Sequence, residues 1–271
     1  MSQQAQRHPM TTKTVVYRIP GMDTVTVSQD VVYQTTDTAA LTMDIYRPPD
    51  AKTGARIPAV VFVMGYSDLG AEVVFGCKFK EMESYIAWAR LAAATGMAAI
   101  TYANREPEKD IHELLRYIHQ NAAALRIDEN RIGVWSSSGN VPLALSVLMQ
   151  SEFRGSLKCA ALCYGYTLDL EGSTAIADAQ KQWRFANPNA GKTVRDLPQD
   201  LPLFVARAGQ DANPGLNETL DRFLSHVLAA NLPITVANHP TGPHAFDMLQ
   251  DSETSREIIR QILSFFRFHL T

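Results

Sequence analysis

Three serines, a glycine and an asparagine, Ser136-Ser137-Ser138-Gly139-Asn140, stand between the apolar run Arg131 to Trp135 and a segment that Pro142 can open as a helix. A hydroxyl on the sharp turn from a buried strand into a helix is the layout of a nucleophile elbow, usually spelled Gly-x-Ser-x-Gly. The residues two before and two after the serine must be small there, or they collide. Ser137 in that role would set the Trp135 indole at the crossing of strand and helix. Ser138 sets Ser136 before it and Asn140 after it; serine is small, and asparagine, although larger than the pattern prefers, tolerates left-handed backbone. This register also puts the Gly139 amide beside a helix N-terminus, where a developing negative oxygen is stabilised. Ser138 is therefore the expected nucleophile and Gly139 an expected oxyanion donor.

A serine hydroxyl becomes nucleophilic when an imidazole takes its proton, and a carboxylate that fixes the imidazole tautomer makes the transfer efficient. Asp211 lies just past the apolar run Leu203 to Ala208, where open α/β sheets place their sites. Asp247 is the reserve acid. His239 and His244 both follow the last apolar run, Ile234 to Ala237, whereas His112, His119, His226 and His269 fall on expected helices with solvated faces. Alone, a Ser-Ser-Ser-Gly-Asn run reads as a polar loop. An acid and a histidine at later strand ends, in the order serine, acid, histidine, turn that reading toward acyl transfer.

The elements that must position these groups follow from hydrophobic periodicity. Alternation over Val25 to Tyr33 and Leu41 to Tyr46, joined by Thr35-Thr36-Asp37-Thr38, predicts an antiparallel hairpin, and Pro48-Pro49 ends it. From there the pattern changes to continuous apolar runs alternating with helical spacing, the mark of parallel strands buried on both faces. The runs are Ala59 to Met64, Met97 to Ala103, Arg131 to Trp135, Lys158 to Tyr164, Leu203 to Ala208 and Ile234 to Ala237. Met82 to Ala93, Ile111 to Leu125, Pro142 to Leu148 and Leu220 to Leu228 are spaced as helices, and a last helix begins near Thr254 with Glu257 as capping-box partner. Residues 167–200 break the rhythm and read as a lid-like insertion, and residues 1–14 as a frayed tail. No repeat or linker divides residues 1–271, so one α/β domain with a small insertion is expected.

Composition narrows the function. With 46% hydrophobic and 20% charged residues the chain can build a sizeable core, and a net charge of −3 lacks the basic excess of nucleic-acid binders. The three cysteines Cys77, Cys159 and Cys163 show no metal spacing, which fits a reducing compartment and no metal. No apolar run approaches the ~20 residues of a membrane span and no secretory leader is written, so the expected location is the cytoplasm.

VFVMGY at 61–66, RIGVWSSSGN at 131–140, ARAGQD at 206–211 and GPHAF at 242–246 together resemble an α/β-hydrolase of the dienelactone-hydrolase-like or esterase branch. The resemblance implies a mostly parallel eight-stranded sheet with an antiparallel second strand, flanked by helices, and no cofactor. It matches His244, in Gly242-Pro243-His244-Ala245-Phe246, to the catalytic histidine and leaves His239 in reserve. It makes the Tyr66 amide the second oxyanion donor, with Gly65 permitting close approach, although Met64-Gly65-Tyr66 lacks the histidine often found in that turn. None of the cysteines sits at the elbow, which argues against the dienelactone substrate.

The expected activity is serine hydrolysis of a small-molecule carboxylic ester. Tyr164 and Tyr166 at a strand end, Trp183 and Phe185 in the insertion, and Cys77 in the loop before a helix would line the pocket, giving an aromatic, weakly charged mouth suited to a small apolar or aryl acyl group. A thioesterase, lactonase or small-peptide hydrolase would use the same groups, and the fold also serves as a non-catalytic ligand receptor.

Overall fold

A computed structural model describes residues 7–37, 39–51 and 54–271. Its strands are β1 (Thr26–Thr35), β2 (Ala40–Arg47), β3 (Ile57–Phe62), β4 (Ala98–Tyr102), β5 (Ile127–Ser137), β6 (Leu157–Cys163), β7 (Leu203–Ala208) and β8 (Ile234–His239). The helices are α1 (Asp68–Phe75), α2 (Glu83–Ala94), α3 (Pro107–Gln120), α4 (Ala122–Leu125), α5 (Val141–Leu148), α6 (Ala175–Trp183), α7 (Leu216–Ala229), α8 (Phe246–Leu249) and α9 (Glu253–Leu270). All eight strands form one sheet in the order β1-β2-β4-β3-β5-β6-β7-β8. β2 runs antiparallel to both neighbours and the other pairs are parallel, as the resemblance implies. The expected hairpin is β1 and β2; Thr38 of its turn lies outside the described residues.

The chain steps one way from β3 to β4 and the other way from β4 onward, so right-handed crossovers put α2 on one face and α3, α5 and α7 on the other. α9 shares the face of α2. A Cβ on Gly133 would lie 2.9 Å from Phe266 of α9, while Trp135, two residues on and so on the same side, packs 5.3 Å from Trp88 and 5.9 Å from Tyr85 of α2. Covered on both faces, Val60, Ile100, Val134, Ala160 and Val205 are fully buried, which is why these strands read as unbroken apolar runs.

Four expectations are corrected. The tail is docked from residue 8: the His8 N–H donates to Phe75 O, Pro9–Thr12 make a 3-10 turn with Thr11 buried, and Val15 joins the core. A four-residue turn anchored through backbone bonds has no periodicity to reveal it. α9 is capped by Ser252, whose hydroxyl accepts from the Ser255 N–H, and Glu257 instead pairs with Arg260 on the outer face. His112 and His119 lie half-buried against Phe153 rather than on a solvated face. His239 ends β8 instead of following it; it is buried beside Phe246, with Nε2 near the Ser252 and Ser255 hydroxyls of α9.

Candidate active site

β5 runs to Ser137, and the chain then turns sharply through Ser138 into α5. Ser138 is left-handed at φ 56°, whereas Asn140, a residue type that tolerates that backbone, is ordinary right-handed helix at φ −84° and ψ −21°. Trp135 points away from α5 into the α2 face, and fully buried Ser136 donates its hydroxyl to Val63 O at 3.2 Å.

Ser138 Oγ lies 2.8 Å from His244 Nε2, and His244 Nδ1 lies 2.6 Å from Asp211 Oδ2. These three expected residues, drawn from three strand ends, are joined. Burial of the Asp211 carboxyl on its own would raise its pKa, but hydrogen bonds from His244 and from the Asn213 amide and side chain outweigh it and hold it below the ordinary value. An ionised carboxylate accepts, so the proton between them sits on Nδ1, leaving Nε2 free to accept from Ser138. The acid and base loops are zipped together: Gly209 N–H donates to His239 O at 2.8 Å and Gln210 N–H to Gly242 O at 2.9 Å. Gly242 must be glycine, because a Cβ there would fall 2.6 Å from the His239 ring.

The turn after β3 lies across from the elbow. Its Gly65 N–H donates to Asn140 Oδ1 at 2.7 Å, and Gly65 O accepts from Ala186 N–H at 2.8 Å. The Tyr66 N–H has no hydrogen-bond partner among the described residues. Gly139 is the second residue of the 3-10 turn Ser138–Asn140, so its amide belongs to the first-turn groups that a helix leaves unsatisfied. Two such amides, one from each side of the serine, are what a tetrahedral oxyanion needs.

Aromatic side chains close over this corner. Tyr66 stacks on Phe79 at 5.5 Å and meets Phe185 edge-on at 6.0 Å, and Phe185 stacks on Tyr166 at 5.5 Å. Tyr166, Phe185, Ile176, Ala179 and Leu216 form a small apolar cluster of their own, through which residues 167–200 pack on Tyr66. Trp183 does not take the inward place expected of it: it is 48% exposed, while Phe185 is 1% exposed. Arg184, left-handed at φ 60°, ends α6 and turns the chain between them. Tyr164 meets the His244 ring edge-to-face at 5.1 Å and donates its hydroxyl to Asp247. Cys77 is buried two residues before Phe79, its thiol pushed up by burial.

Sequence reasoning missed Phe79, Tyr85 and the side-chain role of Asn140. The signal for Asn140 was present, as an amide where the pattern gives a small residue. Asp247, the reserve acid, is fully engaged elsewhere: it accepts from Tyr164 Oη and from Trp88 Nε1, both at 2.7 Å, and burial raises its carboxyl.

No protein-family model and no curated protein sequence matches the chain. Solved structures do. A bacterial heroin esterase superposes with a TM-score of 0.67 at 15% identity, covering 92% of this chain and 86% of that one. A thermostable esterase from Pseudomonas putida ECU1011 gives 0.69 at 13% identity, covering 92% and 85%. A thermophilic esterase from Thermogutta terrifontis gives 0.64 at 19% identity, covering 91% and 92%. At these identities the likeness defines the fold, and the chain has the α/β-hydrolase fold.

Proposed function

We propose that the chain is a serine hydrolase that cleaves a carboxylic ester of a small apolar or aryl acyl group through an acyl-serine intermediate. Ser138 Oγ attacks the ester carbonyl while His244 Nε2 takes its proton, and Asp211 stabilises the imidazolium that forms. The Tyr66 and Gly139 amides receive the negative oxygen of the tetrahedral intermediate. Collapse breaks the bond to the alcohol, which leaves with the proton from His244. Water then attacks the acyl-serine with His244 as base, releasing the acid and restoring the hydroxyl.

The observation that carries this reading is the unbroken chain Ser138 to His244 to Asp211, at 2.8 and 2.6 Å, beside the Tyr66 and Gly139 amides, which have no hydrogen-bond partner among the described residues. The aromatic corner of Tyr66, Phe79, Phe185 and Tyr166 supports an uncharged acyl group of limited size. The structural neighbours are named esterases, which accords with it. A fluorophosphonate probe is expected to attach to Ser138 and to neither Ser136 nor Ser137, as read by peptide mass spectrometry. In a series of p-nitrophenyl esters, turnover is expected to be highest for short acyl chains. Absence of both label and turnover in the folded protein would overturn the reading.

A further inference from the structure

Asn140 stands two residues after the serine, where the elbow pattern gives a small residue. It is 2% exposed, and each end of its side-chain amide is used: Oδ1 accepts the Gly65 N–H at 2.7 Å, and Nδ2 donates to the Tyr85 hydroxyl at 3.0 Å. Tyr85 is itself fixed by edge contacts with Phe79 at 5.5 Å and Trp135 at 5.9 Å. Backbone meets backbone closely here, since a Cβ on Gly65 would lie 3.2 Å from Asn140 Cα and from Gly139 O. The residues carrying the two oxyanion amides, Tyr66 and Gly139, are the sequence neighbours of Gly65 and Asn140. One side-chain bond thus ties together two pieces of chain separated by 75 positions. It also occupies the first of two consecutive amides in the turn and leaves the second, that of Tyr66, available.

We propose that Asn140 is a positioning residue that clamps the Met64-Gly65-Tyr66 turn to the elbow helix and so sets the spacing of the two oxyanion donors. The proposal rests on the reading of Ser138 as the acylated nucleophile. A donor contributes fully only within about 2.7–3.1 Å of the oxyanion, and a misplacement of about 1 Å costs on the order of 100-fold in rate. Glycine at 140 would satisfy the sterics of the turn and leave the buried Gly65 N–H without an acceptor. An amide satisfies both, because one end accepts from Gly65 and the other is aimed by Tyr85.

The test compares Asn140→Gly, Asn140→Asp and Tyr85→Phe in the full chain. Asn140→Gly is expected to lower kcat for p-nitrophenyl acetate roughly 10- to 100-fold with KM within about two-fold, because the loss falls on the transition state. Affinity for a phenylboronic acid that forms a tetrahedral serine adduct is expected to fall in step. Asn140→Asp keeps an acceptor for Gly65 and should restore most of kcat; Tyr85→Phe should fall between. Amide exchange supplies a readout independent of turnover: Gly65 is expected to exchange slowly in the native protein and in Asn140→Asp, and fast in Asn140→Gly. Unchanged kcat or an unchanged Gly65 exchange rate in Asn140→Gly overturns the proposal. So does a loss that Asn140→Asp does not restore and that tracks melting temperature. A native protein without turnover or serine labelling would sink the function proposed above, while Gly65 exchange would still decide the clamp.

Discussion

Asp211 and the two histidines of the last strand–loop segment carry the sharpest single-residue expectations. Asp211→Asn keeps the size of the side chain but presents an amide that favours the wrong imidazole tautomer, so kcat should fall by roughly 10⁴-fold with the fold retained. Near-native turnover would move the acid role elsewhere. His244→Ala should abolish turnover. His239→Ala should keep it and lower the melting temperature instead, because His239 packs on Phe246 and reaches the Ser252 and Ser255 hydroxyls of α9; the opposite pattern would exchange the two roles. At this scale the joined trio of Ser138, Asp211 and His244 was legible in part: strand ends and chain order brought out the serine run and Asp211, sterics chose Ser138 within that run, and the choice of His244 over His239 came from resemblance. The Asn140 to Gly65 bond was not, because a contact across 75 positions between a side chain and a backbone amide leaves no local pattern.

Where an element begins or turns decides several features that spacing alone misplaces. Trp183 and Phe185 are both aromatic and two apart, and what separates them is the left-handed Arg184 that ends α6. Phe185→Ala should therefore extend turnover to longer acyl chains, whereas Trp183→Ala should leave the chain-length profile unchanged; equal profiles would place the acyl group away from Phe185. Asp68, at the start of α1, is buried, and this raises its carboxyl to about 6 despite the bond from the Asn104 N–H. The folded state then holds a proton that the unfolded chain releases near pH 4, so stability is lost as pH rises from about 4 through 6. Asp68→Asn keeps an acceptor for Asn104 and should be more stable than the native protein above pH 6 by up to about 3 kcal/mol, with the difference shrinking at pH 4. Urea midpoints at pH 4 and 7.5 check it; a pH-independent difference would show that the carboxyl is not the cause. Removing residues 1–13 should also lower the melting temperature, since Thr11 is buried and the His8 N–H is bonded to Phe75.

For the molecule as a whole, the sheet was the most legible part. Continuous apolar runs such as Val60, Ile100 and Val205 follow from burial on both faces, and the hairpin of β1 and β2 from alternation. Strand order has no local signature and was not read; the strand count and the antiparallel second strand came from resemblance. The same sheet forces β5 to deliver Ser138 in a conformation that an L-residue with a side chain resists, by roughly 1–2 kcal/mol. With Ser138 as the proposed nucleophile, that makes activity and durability opponents in this chain. Ser138→Gly and Ser138→Ala both lack the hydroxyl, yet glycine should give the higher melting temperature, reversing the usual advantage of alanine in a folded protein. On the function proposed above, random change at this position can therefore raise stability by discarding the nucleophile, and only selection for turnover would keep a serine there.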